Sequence, residues 1–144
     1  AVSGVVVCGS RAHLESEAIA TRHPLRNFLM YGFHLIVSML CVNSIHDTQC
    51  GFKLFDRRAA QLLFPPQHIE RWGFDVELLY IAYKRKIPCK EVAVRWTEIP
   101  GSKLDVAAAT LSMLREMILI PLCYNLGVWR IDDGAFHLNS SSSE

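Results

Sequence analysis

Asp47-Thr48-Gln49-Cys50-Gly51-Phe52-Lys53-Leu54-Phe55 sets a carboxylate, an amide, a glycine and a cation side by side between two segments of regular pattern. Residues 47–49 follow a long apolar run and have the composition of a loop. Gly51 opens backbone conformations closed to other residues, or lets a ligand approach closely. Phe52 and Leu54 alternate with Lys53 and Phe55, the period of a short strand. Asp56 then stands where it would cap a helix over residues 57–64. Two readings of the junction stay open on these residues alone. It is a turn with one surface ion pair, which would contribute little, or a place where Asp47 and Lys53 hold a phosphorylated ligand.

Around this junction lies a chain of 144 residues with 51% hydrophobic content, enough for one modest core. A net charge of +1 gives no bulk electrostatic case for a nucleic-acid partner. The five cysteines (Cys8, Cys41, Cys50, Cys89, Cys123) are scattered without a Cys-x-x-Cys pair. That argues against a disulfide scaffold or a zinc site and suits a reducing compartment. The histidines show no ligand spacing either, so no metal site is expected in the chain. Ala1-Val2-Ser3-Gly4 has no basic flank, and apolar residues 5–8 are too few for a signal peptide or a spanning helix. They read as a strand entered part-way through a domain, and the chain is expected to be a fragment.

Upstream of the junction, that strand is β-branched at its valines and should be covered on both faces. Gly9-Ser10-Arg11 ends it. Ligands of open α/β sheets gather at the carboxyl ends of strands, so Arg11 stands where an anion would bind. Pro24 fits the first turn of a helix that puts Arg22 and Arg26 on one face. The helix continues through apolar residues 28–42, about 15 residues against the roughly 20 that span a bilayer. A buried core helix and an interfacial helix both fit.

Downstream, Pro65-Pro66 stop the first helix. A second helix over residues 74–86 carries Asp75 and Glu77 in its first turn and Lys84, Arg85 and Lys86 in its last, matching the macrodipole. Phe74, Leu78, Ile81 and Ala82 form its apolar stripe. Pro88 breaks it, and Val92, Val94 and Trp96 alternate as one face of a strand. Gly101-Ser102-Lys103 reads as a flexible turn. An apolar helix over residues 106–120 is expected to stop at Pro121, and residues 131–144 form a polar, disordered tail.

Gly9-Ser10-Arg11, residues 47–55, Arg71-Trp72-Gly73-Phe74-Asp75-Val76-Glu77 and Gly101-Ser102-Lys103-Leu104 resemble, in order and spacing, the motifs of the dolichyl-phosphate glucosyltransferases. These are GT-A-type enzymes related to the dolichyl-phosphate mannosyltransferases. The resemblance runs over residues 5–130 and matches the later part of the family's catalytic domain. It implies an α/β chain with an incomplete GT-A (nucleotide-diphospho-sugar transferase) fold lacking its N-terminal nucleotide-binding strands. Residues 1–130 would be the acceptor-side part of the catalytic domain.

The implied reaction moves glucose from UDP-glucose to dolichyl phosphate, with inversion at the sugar carbon. It would serve lipid-linked oligosaccharide assembly and protein N-glycosylation at the cytosolic face of the endoplasmic reticulum membrane. A divalent metal, Mg or Mn, is implied for the complete enzyme, its Asp-x-Asp ligands lying upstream of this chain. Asp75-Val76-Glu77 is not that motif, because it falls downstream of Gly9. By resemblance Asp47 is the candidate catalytic residue, as a base or as an orienting group. Arg11, Arg26, Lys53 and Lys103 are the candidate phosphate and acceptor ligands, with Ser10, Arg22, Gln49, Asp75 and Glu77 in support. The alternative is a truncated, inactive module that touches membrane or a partner without turnover. In either case the fragment alone should bind UDP-glucose weakly or not at all.

Overall fold

The computed structural model describes residues 4–14, 28, 31–32, 35–36, 45–95, 97 and 106–131. Arg22, Arg26, Lys103 and Trp96 lie outside these, as do the tail after Ile131 and most of the helix expected over residues 28–42.

β1 (Val6–Ser10) is the middle strand of a three-stranded mixed sheet. β2 (Lys53–Phe55) pairs with it antiparallel on one edge, and β3 (Cys89–Ala93) pairs parallel on the other. Lys53, Cys8 and Glu91 stand abreast in this register, so they share a face. That face is the inner one, since Val6 and Cys8 are fully buried. Leu54 and Val92 point the other way and are exposed, as is neighbouring Phe52. Leu54 and Val92, the apolar residues of the alternation, therefore mark the outward face, and Lys53 and Glu91 point in. β3 also starts at Cys89, earlier than the alternation of Val92 and Val94 suggests, because Val6 N–H already donates to Pro88 O at 3.0 Å.

α1 (Arg57–Leu63) begins at Asp56, whose carboxylate accepts from Ala59 N at 2.6 Å and from Val5 N at 3.0 Å. One side chain thus caps the helix and ties it to β1. α2 (Phe74–Lys84) is the centre of the molecule: every residue from 75 to 82 is buried. A helix apolar around most of its circumference has to be enclosed. β1, α1 and the third helix enclose it through Val6, Leu63, Met117 and Ile120. Each such side chain contributes about 1.5–3 kcal/mol by burial.

α2 ends before Lys86. Ile87 N–H donates to Ala82 O at 2.9 Å and Lys86 N–H to Tyr83 O at 3.0 Å, a Schellman ending with Lys86 at φ 56°. At its start, Gly73 N–H donates to the Glu116 carboxylate at 2.6 Å. A Cβ on Gly73 would fall 2.9 Å from that carboxylate, so only glycine admits the contact.

α3 (Val106–Asn125) runs straight through Pro121, where the sequence suggested a stop. Proline forfeits one helical hydrogen bond, and tertiary contacts hold the last turn in compensation. Tyr124 Oη has one proton and two acceptors within reach, Glu77 Oε1 at 2.8 Å and Pro66 O at 2.9 Å. Among the described residues no helix is long and apolar enough to cross a membrane.

Candidate functional site

The charged side chains gather where β1 gives out. Arg11, the first residue after the strand, turns back onto Asp47 through three donors. Its N and Nε reach Oδ2 at 2.9 and 2.7 Å, and its Nη2 reaches Oδ1 at 3.0 Å. Asp47 is almost completely buried, whereas the Arg11 side chain keeps 31% of its surface exposed. Burial alone would raise the Asp47 pKa, but the Arg11 hydrogen bonds outweigh it and hold the carboxyl below its ordinary range. Both oxygens are engaged and the group is weakly basic, an arrangement suited to aiming a guanidinium rather than to taking a proton.

Lys53 is not the partner of Asp47. Its side chain is 5% exposed and its ammonium reaches Asp75 Oδ1 at 3.0 Å. It also donates to Thr48 O at 2.9 Å and Cys50 O at 2.7 Å. An ammonium has three donors, and all three are committed. Lys53 therefore pins the loop of residues 48–50 to α2 and, as placed, has no donor left for an acceptor phosphate. Asp75 is pushed above the usual carboxylate range by burial, against the lowering effect of Lys53.

The supporting residues divide. Ser10 is buried, and its hydroxyl accepts from Ala12 N at 3.3 Å. Gln49 turns away onto α3, donating to Met113 Sδ at 3.1 Å. Glu77 does not belong to this cluster. It is fully buried and accepts from His68 N at 3.0 Å, Ile69 N at 2.7 Å and Tyr124 Oη at 2.8 Å, which makes it a structural tie. Gly51, expected to supply backbone freedom or close approach, has open space where a Cβ would stand and no positive φ. The crowded glycine at this end of the sheet is Gly9, where a Cβ would lie 3.0 Å from Val94 Cγ1 and 3.1 Å from Cys50 Sγ and Phe52 Cβ. Arg22, Arg26 and Lys103 lie outside the described residues. A cavity of about 260 Å³ opens between the ends of α1 and α2, lined by His68, Arg85 and Arg130 among others; none of Arg11, Asp47, Lys53 or Asp75 borders it.

Over 127 residues, 88% of its length, the chain is 57% identical to the dolichyl-phosphate beta-glucosyltransferase of Dictyostelium discoideum. The human dolichyl-phosphate beta-glucosyltransferase gives the same figures, and that of Saccharomyces cerevisiae is 44% identical over 126 residues, 87% of the chain. The chain is homologous to the dolichyl-phosphate beta-glucosyltransferases. It spans about two fifths of the length of these relatives: 39% of the Dictyostelium and human glucosyltransferases and 38% of the yeast one. No family model matches the chain. No solved structure matches it either.

Among the glucosyltransferase-like residues, Arg11 and Asp47 meet directly, and Lys53 and Asp75 meet beside them. Reading the sequence missed the group that holds Asp47 itself. Glu91 on β3 accepts from His46 N at 2.8 Å and Asp47 N at 2.9 Å, and its other oxygen lies 2.8 Å from His46 Nδ1. Burial would raise its pKa, but those donors lower it below the ordinary value. The one available signal was an acid on the strand face opposite Val92, and the apolar alternation pointed the other way.

Among the described residues no three His, Cys, Asp or Glu side chains converge to hold a metal ion.

Proposed function

We propose that this chain is the acceptor-side part of an enzyme that transfers glucose from UDP-glucose to dolichyl phosphate. The observation that carries the reading is the partly exposed Arg11 guanidinium, clamped on the Asp47 carboxylate at the end of β1. It occurs in a chain 57% identical to named glucosyltransferases. The mixed sheet, taken with relatives more than twice as long, supports an incomplete GT-A fold. On this reading the uridine pocket and the ligands of a divalent metal belong to the part of the relatives that the chain does not span.

The chemistry asked of these residues is modest. A phosphate monoester has a second pKa of about 6, so the attacking oxygen is already largely ionised at neutral pH. What remains is to neutralise the phosphate, aim one oxygen at the anomeric carbon and exclude competing water. Arg11 supplies the positive charge, and Asp47 orients it instead of acting as base. Lys53, saturated by Asp75 and two carbonyls, shapes the loop. Arg26, Arg22 and Lys103 remain candidate phosphate ligands from the segments on either side.

A lipid acceptor requires the protein to meet a membrane, and the reading puts that encounter at the cytosolic face of the endoplasmic reticulum. Phe28, Tyr31 and Leu35 are helical, exposed and spaced to share one face, which supports an interfacial role for this stretch. Leu111, Ile118 and Leu122 form a second exposed apolar row on α3.

A segment exchange tests the proposal. The matching region of the human relative is replaced by this chain, and transfer of labelled glucose from UDP-glucose to dolichyl phosphate is followed. Activity is expected, and its loss on Arg11→Ala. A well-expressed, folded hybrid without transfer would overturn the proposal.

A further inference from the structure

We propose that Glu91 is a positioning residue for the phosphate-binding end: by fixing the backbone of residues 46 and 47 it sets the Asp47 carboxylate and, through it, the Arg11 guanidinium. The inference rests on the functional reading above. Residues 45–52 belong to no helix or strand and need some other restraint. Glu91 sits on β3, the parallel neighbour of β1, at the register position beside Cys8. One of its oxygens receives two successive backbone N–H groups, from His46 and Asp47, and the other faces the His46 ring. Two adjacent amides aimed at one oxygen fix the peptide plane between them and hence the direction in which the Asp47 side chain leaves the chain. From there three bonds of 2.7–3.0 Å carry the restraint to Arg11. The relay thus runs from one edge strand, across the loop, to the residue after the central strand. Arg11 is long and flexible, and a fixed carboxylate at its Nε and Nη2 narrows the orientations its guanidinium adopts, as phosphate recognition requires.

The relay separates variants that charge alone would not. Glu91→Gln keeps an oxygen for both amides and places an amide donor opposite His46 Nδ1. Glu91→Asp keeps the charge but is one methylene short. Glu91→Ala keeps nothing.

The test uses the 144-residue chain with three readouts. These are exchange of the Arg11 Nε proton by NMR, carboxyl titration of Asp47 and Asp75, and 31P-detected binding of citronellyl phosphate, a phosphate monoester with a short prenyl tail. In Glu91→Ala and Glu91→Asp, exchange at Arg11 is expected to accelerate at least about tenfold. The Asp47 pKa should climb toward its ordinary 3.8, with Asp75 unmoved and citronellyl phosphate bound more weakly. Glu91→Gln should restore all three. If Glu91→Ala unfolds the chain, the Asp and Gln variants make the same comparison. Unchanged Arg11 exchange and Asp47 titration in the Asp variant would overturn the proposal, as would equal loss in the Gln variant. Failure of the unsubstituted chain to bind citronellyl phosphate would instead count against the functional reading. Exchange at Arg11 would still judge Glu91 in that case.

Discussion

Asp75 and Glu77 leave α2 two residues apart and end in opposite kinds of surroundings. Asp75 meets an ammonium, beside a second carboxylate clamped on a guanidinium. Glu77 is fully buried and meets fixed donors, two backbone N–H groups and the hydroxyl of Tyr124, whose ring meets the stacked His68 and Trp129 rings edge-on. His68 Nδ1 lies 3.4 Å from the Glu77 carboxylate. A carboxylate bound by backbone and packed rings has nowhere to go and serves as a tie. A carboxylate holding a long, partly exposed cation orients that cation, and on the proposed reading aims it at a second anion. The first arrangement stabilises, and the second is the one the proposed function asks to bind.

Breaking the charged side should cost most. Lys53→Met strands the Asp75 carboxylate and frees two loop carbonyls. Losing one member of a buried pair costs about 3–5 kcal/mol, read by urea unfolding at neutral pH. The cost should shrink in acid, where Asp75 is neutral, and in the double variant with Asp75→Asn. On the other side, Glu77→Ala leaves the His68 and Ile69 N–H groups without an acceptor, while Tyr124 Oη keeps Pro66 O, and should cost about 2–3 kcal/mol. It should leave citronellyl phosphate binding unchanged, and weakened binding would blur the distinction between the two regions.

Their pH limits should also differ. Asp47 and Glu91 are held below their ordinary values of 3.8 and 4.5, so the stability they contribute is complete above those values. It is lost as pH falls through the folded-state values. Asp75 is raised, so its contribution has the opposite sign: full below 3.8 and lost as pH rises through its folded value. At the other tie, burial and the Glu77 hydrogen bond raise Tyr124 above its ordinary 10.0. The Tyr124 contribution is therefore complete below 10.0 and lost as pH rises further. Tyr124→Phe should remove that alkaline loss from a pH series of unfolding curves, at about 1–2 kcal/mol in neutral solution. The smallest effect lies outside both regions: Lys86→Gly relieves a positive φ of 56° and should stabilise by about 0.5–1 kcal/mol. The urea midpoint would rise with no change in binding.

The elements were legible where local chemistry decides them. Asp56 caps α1 as its type and position suggest, and Asp75 and Glu77 do open α2. The misreadings came where tertiary contacts overrule local pattern. Pro121 reads as a stop, yet Tyr124 holds the helix beyond it. The partner of Lys53 was invisible because Asp47, six residues away, is near in sequence, whereas Asp75 comes close only once α2 packs under the sheet. Glu91 escaped for a related reason: apolar alternation on β3 reports the outward face, and the site is built from the inward one.

Arg11 as the group that meets the phosphate is the claim on which the rest depends. Citronellyl phosphate is titrated by 31P NMR into the chain, into Arg11→Gln and into the Lys86→Gly control. Arg11→Gln is expected to weaken binding at least about tenfold, the loss of one charge-assisted contact, while the control binds like the unsubstituted chain. Equal affinity in all three, with the fold intact, would contradict the role given to Arg11.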